Sequence, residues 1–200
     1  MQRTGDLLAR SSALFVHASV TGHTRTIAER LAERTREAGF QVRTISIADA
    51  SRADPSQHDV VVMGGCVRYG RHDRRLLAFI DRHSDCLRQR RLVFFSVDLT
   101  ARDPERRSID RNVYVRKFLQ RSPVRPDHVE IIAGLLDYPG WPPIERALVR
   151  LIMKWTDGPT DPGTVTDYTD WDQVDRLADT VSALAGSDRA SDSLESDRPT

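Results

Sequence analysis

Ala13-Leu14-Phe15-Val16-His17-Ala18-Ser19-Val20-Thr21-Gly22-His23-Thr24 is the stretch that decides how this chain folds. Residues 13–18 read as a buried strand, apolar except for His17. Residues 24–38 read as a helix, with Ile27, Leu31 and Ala38 at helical spacing and Gly39 as its stop. Between them lies a turn of hydroxyl residues and one glycine. A helix N-terminus leaves backbone N–H groups unpaired and carries partial positive charge, and a phosphate monoester satisfies both. The hydroxyls of Ser19, Thr21 and Thr24 add side-chain donors, and Gly22 lets the backbone close around an anion. No lysine follows, which excludes a triphosphate-binding P-loop. The absence of G-x-G-x-x-G argues against a dinucleotide site. An ordinary strand-to-helix turn with a Ser/Thr cap uses similar residues. Position after the first strand favours the phosphate reading.

Working outward, residues 40–47, 59–63, 92–97 and 128–135 read as further strands. Residues 72–87, 112–120, 142–155 and 170–184 read as helices, the last with Asp170 as N-cap. The second strand alternates Phe40, Val42 and Thr44 against Gln41 and Arg43, and the third is apolar on both faces, as in a parallel sheet covered on both sides. Five strands alternating with helices predict a doubly wound α/β sheet in three layers. Ligands of such sheets bind beyond the carboxyl ends of the strands, where the strand order switches. Two further loops fall there. Gly64-Gly65-Cys66-Val67-Arg68-Tyr69-Gly70 follows the third strand, and its Tyr69 suits stacking on a flat ring. Ser96-Val97-Asp98 ends the fourth strand and supplies another wall. The organisation expected is a flexible extension over residues 1–12, one domain over 13–185, and a disordered Ser- and Asp-rich tail over 186–200.

Composition narrows the class. Of 200 residues, 39% are hydrophobic and 30% charged, which suits a globular chain and neither a disordered nor a membrane-spanning one. No apolar run approaches the ~20 residues that cross a bilayer, and residues 13–16 are too short for a signal peptide. A cytoplasmic protein is expected. A net charge of +1 gives no field for nucleic acid. Cys66 and Cys86 are too few for a cysteine metal site, so no metal is expected, and both are expected to be reduced. Cys66 reads better as a small buried residue than as a redox group.

The Ser/Thr-x-Thr-Gly-x-Thr loop resembles flavodoxins. Further stretches resemble one branch, the menaquinone-dependent, flavodoxin-type protoporphyrinogen oxidases of bacterial heme synthesis. They are Val67-Arg68-Tyr69-Gly70, Ser96-Val97 with Leu99 and Ala101-Arg102, Arg116-Lys117-Phe118-Leu119, Ile132-Ala133-Gly134, Leu151-Ile152-Met153-Lys154 and Tyr168-Thr169-Asp170-Trp171. They run in family order over residues 13–185. The resemblance implies a flavodoxin-like fold and FMN as cofactor, held at Ser19, Val20, Thr21, Gly22, His23 and Thr24. With the two further loops, the flavin site is expected to include Cys66, Val67, Arg68, Tyr69, Ser96, Val97 and Asp98. The resemblance also implies oxidation of protoporphyrinogen IX to protoporphyrin IX, with electrons passing through FMN to menaquinone. Val20-Thr21 departs from the charged loop found in some members and is closer to a plain flavodoxin. A flavodoxin-type electron carrier and an NAD(P)H:quinone reductase are the rival readings. The first is disfavoured by the +1 charge, and both by the basic loop described next.

Residues 101–116 hold Arg102, Arg106, Arg107, Arg111 and Arg116. The first four are expected to pair with porphyrinogen propionates, because a guanidinium fork binds both oxygens of a carboxylate. A solvated surface loop has the same composition. The helix over 142–155 carries Ile144, Leu148, Leu151, Ile152 and Trp155 on one face, with Arg146, Arg150 and Lys154 away from it. That spacing suits a helix lying on the inner, cytoplasmic face of the cell membrane near a quinone, and equally one covering the sheet. A homo-oligomer is compatible with the sequence. Asp98, His72 and Tyr69 are candidate bases by position, and nothing in the sequence selects among them.

Overall fold

The structure, a computed structural model, describes residues 11–155 and 158–196, and side chains as far as residue 186. Strands β1 (Ser12–Ala18), β2 (Gln41–Ser46), β3 (Val60–Cys66), β4 (Arg91–Asp98) and β5 (His128–Ala133) pair in parallel in the order β2-β1-β3-β4-β5. This is the 2-1-3-4-5 order of the flavodoxin-like doubly wound sheet, whose switch point lies between β1 and β3. The expected fold class is therefore borne out.

The layers follow from strand alternation. Phe15, Val62, Phe95 and Ile132 point to one face, where they meet Ile27, Leu31, Val174, Leu177 and Val181. Those partners belong to α1 (His23–Glu37) and α6 (Trp171–Ser196). Leu14, Val16, Met63 and Phe94 point the other way, onto Leu76, Ile80, Leu87 and Phe118. These come from α2 (Arg74–Arg82), α3 (Ser84–Leu87) and α4 (Val113–Arg121). Gly64 is required in the centre of this packing: a Cβ there would lie 2.0 Å from the ring of Phe95.

Several boundaries differ from the sequence reading. The helix expected over 72–87 is two helices, because the backbone leaves helical geometry at His83. The strand expected to reach residue 135 leaves the sheet after Ala133. The Gly134 N–H still bonds to the Asp98 carbonyl, and the chain then peels away. Leu135–Asp137 forms β6, which pairs antiparallel with β7 (Val165–Asp167). An apolar run does not reveal which sheet it joins. Helix α5 (Pro143–Trp155) is carried between these two short strands. It does not cover the sheet. Its one buried residue, Met153, packs with Leu136 and Tyr138.

The ends differ too. Ser12 already belongs to β1, with its N–H on the Asp59 carboxylate, and residues 1–10 of the expected extension lie outside the described residues. Helix α6 continues to Ser196, past its expected end at residue 184 and into the expected disordered tail. Each further residue of a formed helix gains a backbone bond, which an argument from apolar burial alone does not count. Residues 197–200 lie outside the described residues.

The segment between β4 and α4 is ordered by polar contacts. Buried Asp98 accepts from the N–H groups of Thr100 and Ala101 and from Nδ2 of Asn112. Asn112 Oδ1 in turn caps α4 by accepting from Tyr114 and Val115. Asn112→Ala removes the cap and strips a buried carboxylate of a donor, so it is expected to cost about 2 kcal/mol. A thermal melt should fall by about 4–8 °C. An unchanged melt would show that the loop holds itself.

Candidate functional site

The strand-to-helix turns after β1, β3 and β4 meet at the carboxyl edge of the sheet, beside the switch point. They enclose a cleft of about 820 Å³. Val20, Thr21, His23 and Thr24 line it from the first turn, Cys66 to Gly70 from the second, and Val97 to Thr100 from the third. Helix α5 closes it from above with Glu145, Leu148, Val149 and Ile152, and Trp141 lies just before that helix.

The first turn leaves hydrogen-bond donors open. Gly22 is the N-cap of α1 at φ +96°, a conformation that a side chain would strain. Helices α2, α4 and α6 receive carboxylate or amide caps from Asp73, Asn112 and Asp170. Helix α1 receives none, so its leading amides are left to another acceptor. Ser19 Oγ is buried and has no hydrogen-bond partner. A buried hydroxyl without a partner is costly unless a ligand completes it.

His23 ties this turn to the far end of the chain. Its Nε2 lies 2.7 Å from Thr169 Oγ1. That hydroxyl already donates to the Ala133 carbonyl, so Nε2 must carry the proton. Burial lowers the pKa of His23, and the Asp167 carboxylate 3.6 Å away opposes the shift.

The second turn is a tight hairpin. Arg68 and Arg71 exchange backbone hydrogen bonds, and Tyr69 and Gly70 between them both have positive φ. The turn puts Arg68 and Tyr69 against α5. Arg68 Nη2 pairs with Glu145 Oε2, and the Tyr69 hydroxyl donates to Glu145 Oε1 at 2.5 Å. Arg68, then Tyr69, hold the Glu145 carboxyl below the usual carboxylate range, and Glu145 raises the Tyr69 phenol.

The remaining residues divide clearly. Arg102 and Arg106 line the cleft. Arg107 does not: its Nε donates to the Ala101 carbonyl. Arg111 is turned to Glu105 on the surface. Ser96 is fully buried and bonded to His72 Nε2 at 2.8 Å, so its hydroxyl belongs to the interior rather than to the cleft wall. His72 is buried between Phe94 and Phe118, outside the cleft, and burial lowers its pKa to about 4. Its place outside the cleft removes it as a base for a ligand bound there. Asp98 reaches the cleft, but its oxygens are taken by the loop it orders. Cys66 Sγ sits 3.6 Å from the Ala18 carbonyl, in keeping with a packing role. Among the described residues no group of His, Cys, Asp or Glu could hold a metal ion. Sequence reading missed Glu145 and Trp141, because neither belongs to a local pattern that announces a cleft.

A flavodoxin domain model matches residues 14–163. The chain is 36% identical over 171 residues to protoporphyrinogen IX dehydrogenase (quinone) of Escherichia coli K12, covering 86% of this chain and 94% of that protein. It is 34% identical to the protein of the same name from Leishmania major, covering 86% and 74%. Among solved structures, a flavodoxin from the domain Archaea aligns with a TM-score of 0.49 and 14% identity, over 88% of this chain and 99% of that one. FMN is the cofactor that a flavodoxin domain implies. The chemistry of the first turn fits its phosphate: it has uncapped amides, an unpartnered buried hydroxyl and a glycine with open space around it, although Ser19 and Gly22 themselves do not line the cleft. The chain belongs to the flavodoxin family, in the branch of the protoporphyrinogen IX dehydrogenases.

Proposed function

We propose that this protein oxidises protoporphyrinogen IX to protoporphyrin IX for heme synthesis, with FMN as its cofactor and menaquinone as the electron acceptor. The observation that carries the reading is a cleft that joins the turn after β1 to Val97, Leu99, Leu148 and Ile152 and to three arginines, Arg68, Arg102 and Arg106. The substrate combines a large apolar macrocycle with two carboxylates, and those walls match both parts. Identity of 36% along 94% of a relative of that name supports the same substrate class.

In this reading Ser19, Thr21, Thr24 and the first amides of α1 hold the flavin phosphate. Val97, Leu99 and the Tyr69 ring border the flavin, and Leu148 and Ile152 exclude water from the macrocycle. FMN, when bound, accepts hydride equivalents from carbon and returns electrons to a quinone. The chain supplies position and a dry enclosure, and no side chain in the cleft is committed as a base. One comparison tests the reading. Anaerobic protein given protoporphyrinogen IX with menaquinone should turn over, and the same protein given NADH with quinone should not. The reverse outcome would make it an NAD(P)H:quinone reductase, and failure of both would leave an electron carrier.

Contact with the inner membrane is part of the proposal. Helix α5 exposes Ile144 at 84% and Trp155 at 79%, with Leu151 between them and Arg146, Arg150 and Lys154 on the same element. Apolar side chains fringed by cations suit an anionic lipid surface. No helix among the described residues is long and apolar enough to cross a membrane, so the contact would be peripheral. The protein should float with phosphatidylglycerol vesicles, and Ile144→Glu with Trp155→Glu should lower the floated fraction about tenfold or more. Equal flotation of both proteins would remove α5 from any membrane role.

A further inference from the structure

Glu145 is a carboxylate held inside the cleft by two groups from one turn, the guanidinium of Arg68 and the phenol of Tyr69. The turn presents them at some strain. Tyr69 takes φ +50°, a left-handed conformation that aromatic residues rarely adopt, and this aims its hydroxyl at the same carboxylate as Arg68. The helix that brings Glu145 is held loosely, since Met153 is its one buried side chain. A partner on a thinly packed element can be exchanged for another at small cost in burial.

We propose that Arg68 and Tyr69 form the docking element for a carboxylate of the substrate, and that Glu145 occupies this element until substrate arrives. The proposal rests on the reading of a propionate-bearing substrate given above. A guanidinium fork with an added phenol donor is a carboxylate receptor by its chemistry. Leu148, Ile152 and Trp141 beside it would face the apolar ring that carries that carboxylate. The arrangement also gives a role to an ion pair placed on the cleft wall. Glu145 supplies the anion that Arg68 faces in the free protein. Substrate binding is then an exchange of one carboxylate for another, with release of α5 from the hairpin.

The test uses the FMN-loaded protein and two probes, protoporphyrin IX and its dimethyl ester, in the same detergent micelles. Binding is read from quenching of tryptophan fluorescence, and KM from turnover of the corresponding porphyrinogens. Glu145→Gln removes the competing charge, so it should tighten the free acid about fivefold and leave the ester unchanged. Arg68→Gln should weaken the acid about tenfold or more, again without effect on the ester. Arg68→Lys, which keeps the charge but not the fork, should recover part of the loss. FMN affinity should stay constant throughout. Equal effects on acid and ester would overturn the proposal and make the pair a plain latch. Loss of FMN in Arg68→Gln would also overturn it, by assigning Arg68 to the cofactor. If wild-type protein neither bound nor oxidised either porphyrin, the substrate reading itself would fail. Normal turnover with no discrimination between acid and ester would sink this inference alone.

Discussion

Ser19→Asp is expected to leave the purified protein colourless and to lower its affinity for FMN about a thousandfold, with little change in any binding of riboflavin. The hydroxyl of Ser19 is buried without a partner beside the uncapped start of α1. A carboxylate there would take the amides for itself and repel the incoming phosphate. Two like charges about 4 Å apart near a protein surface cost about 4 kcal/mol, which is close to three powers of ten. Ser19→Ala is the milder probe. It removes one hydrogen bond to a charged group, about 1.5–3 kcal/mol, so FMN affinity should fall about 10- to 150-fold. Titration of the apoprotein with FMN and riboflavin separates the phosphate from the ring. Equal losses for both ligands would mean that the turn acts through folding, and no loss for either would mean that the phosphate sits elsewhere.

That turn was the most legible part of the chain, for a physical reason. Binding a phosphate with backbone amides needs a strand, a permissive turn and a helix start in immediate succession, so the whole device lies in residues 13–24. The central sheet was legible on similar grounds. Strands buried on both faces must be apolar throughout, as in Val60-Val61-Val62-Met63. What escaped was whatever depends on contacts distant in sequence. Glu145 meets Arg68 from 77 residues away. Arg107 and Arg111 belong to the same charged run as Arg102 and Arg106, yet only the fold decides which pair faces the cleft and which is spent on Ala101 and Glu105. Ser96 alternates onto the buried face of β4, and His72 waits there to bond it. Leu135 and Leu136 were apolar enough to extend a strand, and the break at Gly134 sent them to a second sheet instead. Helix α5 shows the same limit: its apolar spacing left a membrane surface and the sheet as equal alternatives, and the sheet is already covered by α1, α6, α2 and α4.

His72 makes the stability of this fold depend on pH in a defined window. Its ring is buried against Phe94 and Phe118, and burial lowers its pKa from 6.5 to about 4. The unfolded chain therefore binds a proton near pH 6.5 that the folded chain refuses until about pH 4. The stabilisation is fully present above the unfolded value and is lost as pH falls through the interval down to the folded one. A shift of that size corresponds to about 3 kcal/mol. Burial lowers His17, His23 and His58 as well, so they act in the same direction. The paired carboxylates Asp54, Asp73 and Asp175 are lowered by their hydrogen bonds to Ser56, Arg75 and Arg30, and their loss begins only where unfolded carboxylates protonate, near and below the end of the histidine window. His72→Gln retains a hydrogen-bonding group toward Ser96 but cannot titrate. Urea midpoints measured from pH 7.5 to pH 4.5 should fall steeply for the wild type and more gently for the variant, the two curves converging as the pH drops. Parallel curves would show that His72 titrates alike in the folded and unfolded chains, and that the interior around Ser96 is wetter than its packing implies.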